Sequence, residues 1–294
     1  MDLRQLRYFL AVADELHFGK AAEQVGIKQP PLSRQIKNLE DELGVTLFQR
    51  SKRHVELTPQ GRYLREEAQW VLGRLQLARN QLLEIDRRPG GTLRLGYVGA
   101  AMHSVLPPIL SAIQEQLPGV HTILFERGNE DQLRALLTGE LDLGFVRSPI
   151  EAGALTARPI FEEPYALVVG NSHPAAKKAK PNLRDLADDG FIGFERTCCP
   201  GMVDQVGAIC LREGFTPRIT HTTSQINTIV RLVEAGLGYS IVPLSVSRGY
   251  ALDVRFVPLE SIPERAVLSA IYHPSLLSET AEMTLDLMAQ HSWQ

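Results

Sequence analysis

The feature that most constrains this chain is a change of rhythm at Pro89-Gly90-Gly91. Before it, apolar residues recur almost entirely at helical spacing; from Thr92 on, short apolar runs alternate with helical stretches. A mostly helical front and an α/β body cannot share one core, and 294 residues is a length for two or three domains. The 44% apolar content suffices to fill a core in each. The front ends in the strongest periodicity of the chain: Leu64, Ala68, Val71, Leu75, Ala78, Leu82 and Ile85, spaced 4, 3, 4, 3, 4, 3. Thr58-Pro59 supplies an N-cap and a first-turn proline, so this helix is expected to run to about Arg88. Surface helices show a wider apolar stripe. A seam this narrow suits a helix packed along another helix, and so a dimer.

Upstream, Leu3, Leu6, Leu10 and Ala13 mark a helix over 3–15, and Phe18, Ala21, Ala22 and Val25 mark a second, stopped by Gly26. A third begins at Pro30-Pro31, where proline costs least, and buries Leu32, Ile36, Leu39 and Leu43. Its other stripe carries Pro30, Ser33, Arg34 and Lys37, with Gln29 just before, while Glu40, Asp41 and Glu42 sit at the far end. Cations and hydrogen-bonding groups in the first two turns suit a recognition helix entering the major groove N-terminus first. Thr46–Gln49 and His54–Leu57 flank Arg50-Ser51-Lys52-Arg53, two short strands joined by a basic turn that can grip phosphate. A turn-linked helix pair also occurs as an ordinary α-hairpin. Residues 1–88 hold 15 Lys+Arg against 12 Asp+Glu, and the remainder holds 16 against 22, a mildly basic front on an acidic body.

The run LRQLRYFLAVADELHFGKAAEQVGIKQPPLSRQIKNLEDELGVTLFQRSKRHVELTPQG resembles the winged helix-turn-helix of the LysR-type transcriptional regulators, unbroken over about 60 residues. That resemblance implies contact with double-stranded DNA through Gln29, Pro30, Ser33, Arg34 and Lys37, with Arg53 in the wing. It further implies a homodimer or homotetramer that activates transcription through contact with RNA polymerase. Among these side chains Gln29 and Arg34 suit adenine and guanine, and Ser33 and Lys37 suit phosphate. The expected domains are a winged helix-turn-helix over 1–58, a linker and dimerisation helix over 59–89, and an effector-binding domain over 90–294.

In the body, the spacing predicts strands at Leu93–Val98, Val120–Glu126 and Leu141–Val146, with helices Ser104–Leu117 and Glu130–Thr138 between them. Leu155–Phe161 and Tyr165–Gly170 read as extended segments. A second alternating set runs from Phe191 to Val242, and Ala266–Tyr272 and a helix from Leu276 close the chain. The family resemblance sharpens this into two Rossmann-like lobes of the periplasmic-binding-protein type, 90–162 with 267–294, and 163–266. Ligands in such folds sit at the carboxyl ends of the strands. There fall Gly99-Ala100-Ala101-Met102, Gly128-Asn129, Arg147-Ser148 and the stretch from Thr197 through Pro200 to Met202. Backbone N–H groups at 100–104 and 200–204 are expected to face a carboxylate, with Arg147 pairing with it or bridging the lobes. Asn129 would offer a neutral donor and acceptor, and Met202 and Phe194 an apolar wall. The expected effector is therefore a small organic acid, with no cofactor or metal.

The resemblance is closest to regulators of aromatic-acid degradation and of organic-acid or acetoin metabolism. Where the muconate-responsive members carry a serine, this chain has Ala100. Another subgroup senses peroxide through a cysteine pair, which makes Cys198, Cys199 and Cys210 a thiol-based alternative; Cys210 matches the resolving position, but Gly201 stands where the sensing cysteine would be. An enzyme on the α/β body would need a nucleophile elbow, a phosphate-binding glycine loop or a metal cluster, and none is written here. With no cationic stretch leading into an apolar run over residues 1–12 and no membrane-length apolar window, a cytoplasmic protein is expected.

Overall fold

The computed structural model describes residues 1–50, 54–84, 90–178, 180–249 and 253–290. They form two compact units, one built around Met1–Leu82 and the other around the residues that follow.

In the first unit, α1 (Leu3–Glu15) opens on a reciprocal cap: Gln5 N–H donates to Asp2 Oδ1 at 2.7 Å and Asp2 N–H to Gln5 Oε1 at 2.9 Å. Helix α2 (Phe18–Gln24) is followed by Gly26, at φ +70°, which turns the chain toward α3 (Gln29–Leu43). Prolines occupy the first turn of α3, and Leu32, Ile36 and Leu39 are fully buried. Leu43, expected on the same stripe, stays 38% exposed, because the helix ends at the next residue with its last turn beyond the core.

Phe9 and Phe18 both pack on Phe48, with ring centroids 5.4 and 5.9 Å away. Phe48 begins β1 (Phe48–Arg50), antiparallel to β2 (Val55–Leu57). Glu40, which the charge pattern alone places at an inert helix end, joins α3 to this ribbon. Its Oε1 accepts the N–H groups of Leu47 and Phe48 at 2.8 and 3.1 Å, and its Oε2 meets Arg50 at 2.7 Å. Thr58 then caps α4 (Pro59–Glu84), accepting the Gly61 N–H at 2.9 Å. A Cβ on Gly61 would lie 2.2 Å from the Leu47 carbonyl, so only glycine fits that crossing. Ile85 and the expected helix end at Arg88 lie outside the described residues.

The second unit begins with β3 (Thr92–Tyr97), the short helix α5 (Gly99–Met102) and α6 (Leu106–Gln116). There follow β4 (His121–Glu126), α7 (Asn129–Leu137) and β5 (Leu143–Ser148). Strands β4 and β5 flank β3, both parallel to it. The two extended segments anticipated near the crossing are one strand, β6 (Thr156–Gly170). Its first half pairs with the returning β11 (Arg265–Tyr272), which also pairs with β5. Its second half pairs with β9 (Ser240–Pro243) and β10 (Val254–Pro258). Pro164, with no N–H to offer, sits where the partner changes. Beside β9 lie β7 (Gly190–Phe194) and the parallel β8 (Arg218–Thr223), with α8 (Pro200–Arg212) and α9 (Ile226–Glu234) as crossovers. Helix α10 (Glu279–Gln290) returns to the core of the first sheet, packing Ala281, Leu287 and Met288 on Leu93, Leu106 and Ile109.

Candidate functional site

Two surfaces can carry function. On the first unit, burying Leu32, Ile36 and Leu39 turns the opposite side of α3 outward. Gln29, Pro30, Arg34 and Lys37 are exposed there and Ser33 is half-buried. Together they make a short polar and cationic ridge that no acid interrupts until Glu40, which is occupied by the ribbon. Arg53, expected in the wing, lies outside the described residues. Along α4, Leu75 and Leu82 of the a/d seam are 46% and 70% exposed, while Ala68 is buried against its own unit.

In the second unit a cavity of about 420 Å³ opens where strand ends from both sheets converge. Val98, Gly99 and Ala100 follow β3; Glu126, Arg127 and Gly128 follow β4; Arg147 comes from β5. Phe194 ends β7 and Glu195 and Thr197 follow it, Ser224 to Ile226 follow β8, and Pro243 ends β9. Of the expected effector residues, this brings together Gly99, Ala100, Arg147, Thr197 and Met202.

Three expected residues are placed elsewhere. Met102 packs against the core of the first sheet. Asn129 is a clamp on the backbone, its Nδ2 donating to Arg147 O at 2.7 Å and its Oδ1 accepting the Arg147 N–H at 3.1 Å. Pro200 is exposed in the first turn of α8 and has no N–H to give. Part of the expected ring of backbone donors is also spent. Ala101, His103 and Ser104 donate within and just after α5, and Val203 donates to Cys199 O.

Arg147 is the centre of the cavity's chemistry. The strand β5 runs two residues further than its apolar pattern, so Arg147 lies inside the sheet opposite Leu268, and its side chain is only 3% exposed. Its one acidic neighbour among the described residues, Glu163 on β6, approaches to 3.7 Å and is itself 5% exposed. Glu163 is already engaged by Ser245, whose N–H and hydroxyl both donate to it, the latter at 2.9 Å. Both terminal nitrogens of Arg147 are therefore buried without a hydrogen-bond partner. Burial pulls the guanidinium below its ordinary pKa and Glu163 only partly restores it; burial likewise pushes Glu163 up, against the pull of Arg147 and Ser245.

Cys199 and Cys210 have the opposite setting from a reactive thiolate. Cys199 and Cys210 are buried, Cys198 half-buried, and the Cys198 and Cys199 sulfurs are 4.0 Å apart. Burial first, then Cys198, pushes the Cys199 thiol up; burial, then Glu213, pushes Cys210 up to about 11. No cluster of three or more metal-ligating side chains occurs among the described residues, and none of their helices is long and apolar enough to cross a membrane.

The sequence reading missed Glu163, Glu126 and Ser224–Ile226. The last two follow β4 and β8, so the carboxyl-end rule applied to every parallel strand would have named them. Glu163 carries no such signal, because its role depends on a crossing strand.

Comparisons with known proteins agree with this division. Residues 3–62 match the family model described as bacterial regulatory helix-turn-helix protein, lysR family, and residues 86–293 match the LysR substrate binding domain. The chain is 35% identical over 262 residues to the HTH-type transcriptional regulator AlsR of Bacillus subtilis, covering 89% of this chain and 87% of that one. It superposes on the crystal structure of CbnR, a LysR family transcriptional regulator, with a TM-score of 0.65, 26% identity and full coverage of both chains. Full-length CbnR complexed with its target DNA gives a TM-score of 0.60 at 27% identity, covering 99% of each chain.

Proposed function

The chain belongs to the LysR family of DNA-binding transcriptional regulators, which are not enzymes, and we propose that a small organic anion bound at Arg147 switches it. One observation carries this reading: Arg147 lines the cavity with its side chain only 3% exposed and both terminal nitrogens without a hydrogen-bond partner. Leaving buried charged donors unsatisfied is costly, and a carboxylate answers both arms at once through a bidentate pair. Ala100, Phe194, Met202 and Ile226 supply apolar wall around it.

In this reading residues 1–58 read DNA, 59–89 dimerise and 90–294 respond to the effector, in two lobes that meet at the cavity. Gln29 and Arg34 face base edges, while Ser33, Lys37 and Arg53 hold phosphates and Pro30 packs against the backbone. Exposed Leu75 and Leu82 on α4 pair with a second copy, and the family resemblance extends this to a homotetramer that contacts RNA polymerase in the cytoplasm. Ligand closing the lobes shifts the spacing of the two reading heads on a divided operator.

The test is thermal unfolding of the intact protein against a panel of small carboxylates. Stabilisation should grow with concentration and vanish in Arg147→Met. A panel without effect, or an Arg147→Met protein that responds like the parent, would falsify the anion reading.

A further inference from the structure

Resting on that anion reading, we infer that the cavity takes a zwitterionic aminocarboxylate rather than a dicarboxylate. The lining is graded in charge. Arg147 lies at the buried end; Ala100, Met202, Ile226 and Pro243 add buried apolar wall; and the exposed rim carries Glu126 at the end of β4, Glu130 and Asp131 in the first turn of α7, and Glu195 just after β7. Among the described residues the lining thus holds four carboxylates against the two guanidiniums of Arg127 and Arg147.

Asp131 is partly answered by Arg134 at 3.4 Å, and Arg127 lies over the Phe125 ring at 5.1 Å. Glu126 is exposed, and its Oε1 reaches over Gly99, 3.0 Å from where a Cβ there would stand. An occupant whose carboxylate meets Arg147 therefore extends its other end toward acids that come from both sides of the cleft. A second carboxylate there meets like charge, whereas an ammonium joins Glu126 and Glu195 across the opening. The same ammonium gives the two sheets a shared ligand, so charge selection and closure coincide.

The experiment compares ligands of matched skeleton on the intact protein by calorimetry and thermal shift. The sets are γ-aminobutyrate, butyrate and succinate, and δ-aminovalerate, valerate and glutarate. We expect an aminocarboxylate to bind roughly tenfold or more tighter than the dicarboxylate of its set, with the plain monocarboxylate between. The exposed rim permits Glu126→Gln and Glu195→Gln without disturbing the core. Combining them should bring the members of a set within about threefold of one another. Dicarboxylates binding as tightly as aminocarboxylates, or a preference that the rim variants leave intact, overturns the inference while leaving the anion reading standing. A complete lack of Arg147-dependent binding by any carboxylate overturns both.

Discussion

Replacing Glu163 with glutamine tests the buried pair on which the effector reading rests. The substitution keeps shape and leaves an oxygen able to accept from Ser245, but it removes the only acidic neighbour of Arg147 among the described residues, at 3.7 Å. Breaking a buried ion pair from one side costs about 3–5 kcal/mol, because the surviving charge stays buried and unanswered. The long separation and the unmade hydrogen bonds put Glu163→Gln near the lower bound, about 3 kcal/mol. For a unit of this size that lowers the melting temperature by roughly 6–12 °C.

A carboxylate effector should stabilise Glu163→Gln more than the parent, since it becomes the sole counter-charge of Arg147. Urea unfolding of the intact protein, with and without ligand, measures both quantities. The reasoning fails if the variant lies within about 1 kcal/mol of the parent, well below the cost of a broken buried pair. It fails equally if a carboxylate that binds the parent stabilises the variant no further.

Three other outcomes follow from the same geometry. Leu75→Glu with Leu82→Glu places like charges on the exposed seam of α4 and should yield monomers by analytical ultracentrifugation; an unchanged sedimentation coefficient excludes α4 as the interface. Arg34→Ala should relax preference at one operator position at a cost of about 1–3 kcal/mol, whereas Lys37→Ala should weaken all sequences alike and lower the salt slope by about 1. Uniform weakening by Arg34→Ala would make it a phosphate contact. His273 is 7% exposed, accepts the Ser275 N–H at 3.2 Å through Nδ1, and is held by burial below its ordinary pKa. The unfolded chain therefore binds the proton first, so stability present above about pH 6.5 is lost as pH falls, and His273→Asn should flatten that loss in pH-dependent melts.

The reading head was legible because its signals are local. Proline at the start of α3, glycine at its end and the Leu32, Ile36, Leu39 stripe are each read from neighbouring residues. What escaped there was Glu40, whose partners Leu47, Phe48 and Arg50 are reached only after the chain has turned back. In the body, the alternation of strands with helices and the place of a cavity at strand ends were legible, whereas the strand order, set by the antiparallel pairing of β6 with β9, β10 and β11, was not. Individual site residues followed less well. Asn129 was chosen for its amide, but that amide is consumed by the Arg147 backbone. The backbone donors after β3 were expected to be free, yet α5 is a tight turn that uses its own N–H groups. Composition indicates which groups could meet a ligand, whereas long-range contacts decide which of them remain available.

Arg147 shows why that distinction matters for switching. Its backbone is clamped by Asn129 at the start of α7, its charge leans on Glu163 of the strand that passes between sheets, and Glu163 is held by Ser245 just beyond β9. These four residues lie up to 116 positions apart in sequence, yet they form one chain of contacts across the crossing. An anion that engages Arg147 competes with the weak 3.7 Å pair and leaves the stronger Glu163–Ser245 bonds in place. In the proposed reading, the free energy of binding is delivered between Arg147 and the crossing strand, where a small rotation would move one sheet relative to the other. A ligand touching only the rim would lack that differential contact. On this reasoning, occupancy of Arg147 and not of the cavity at large sets the state of the regulator.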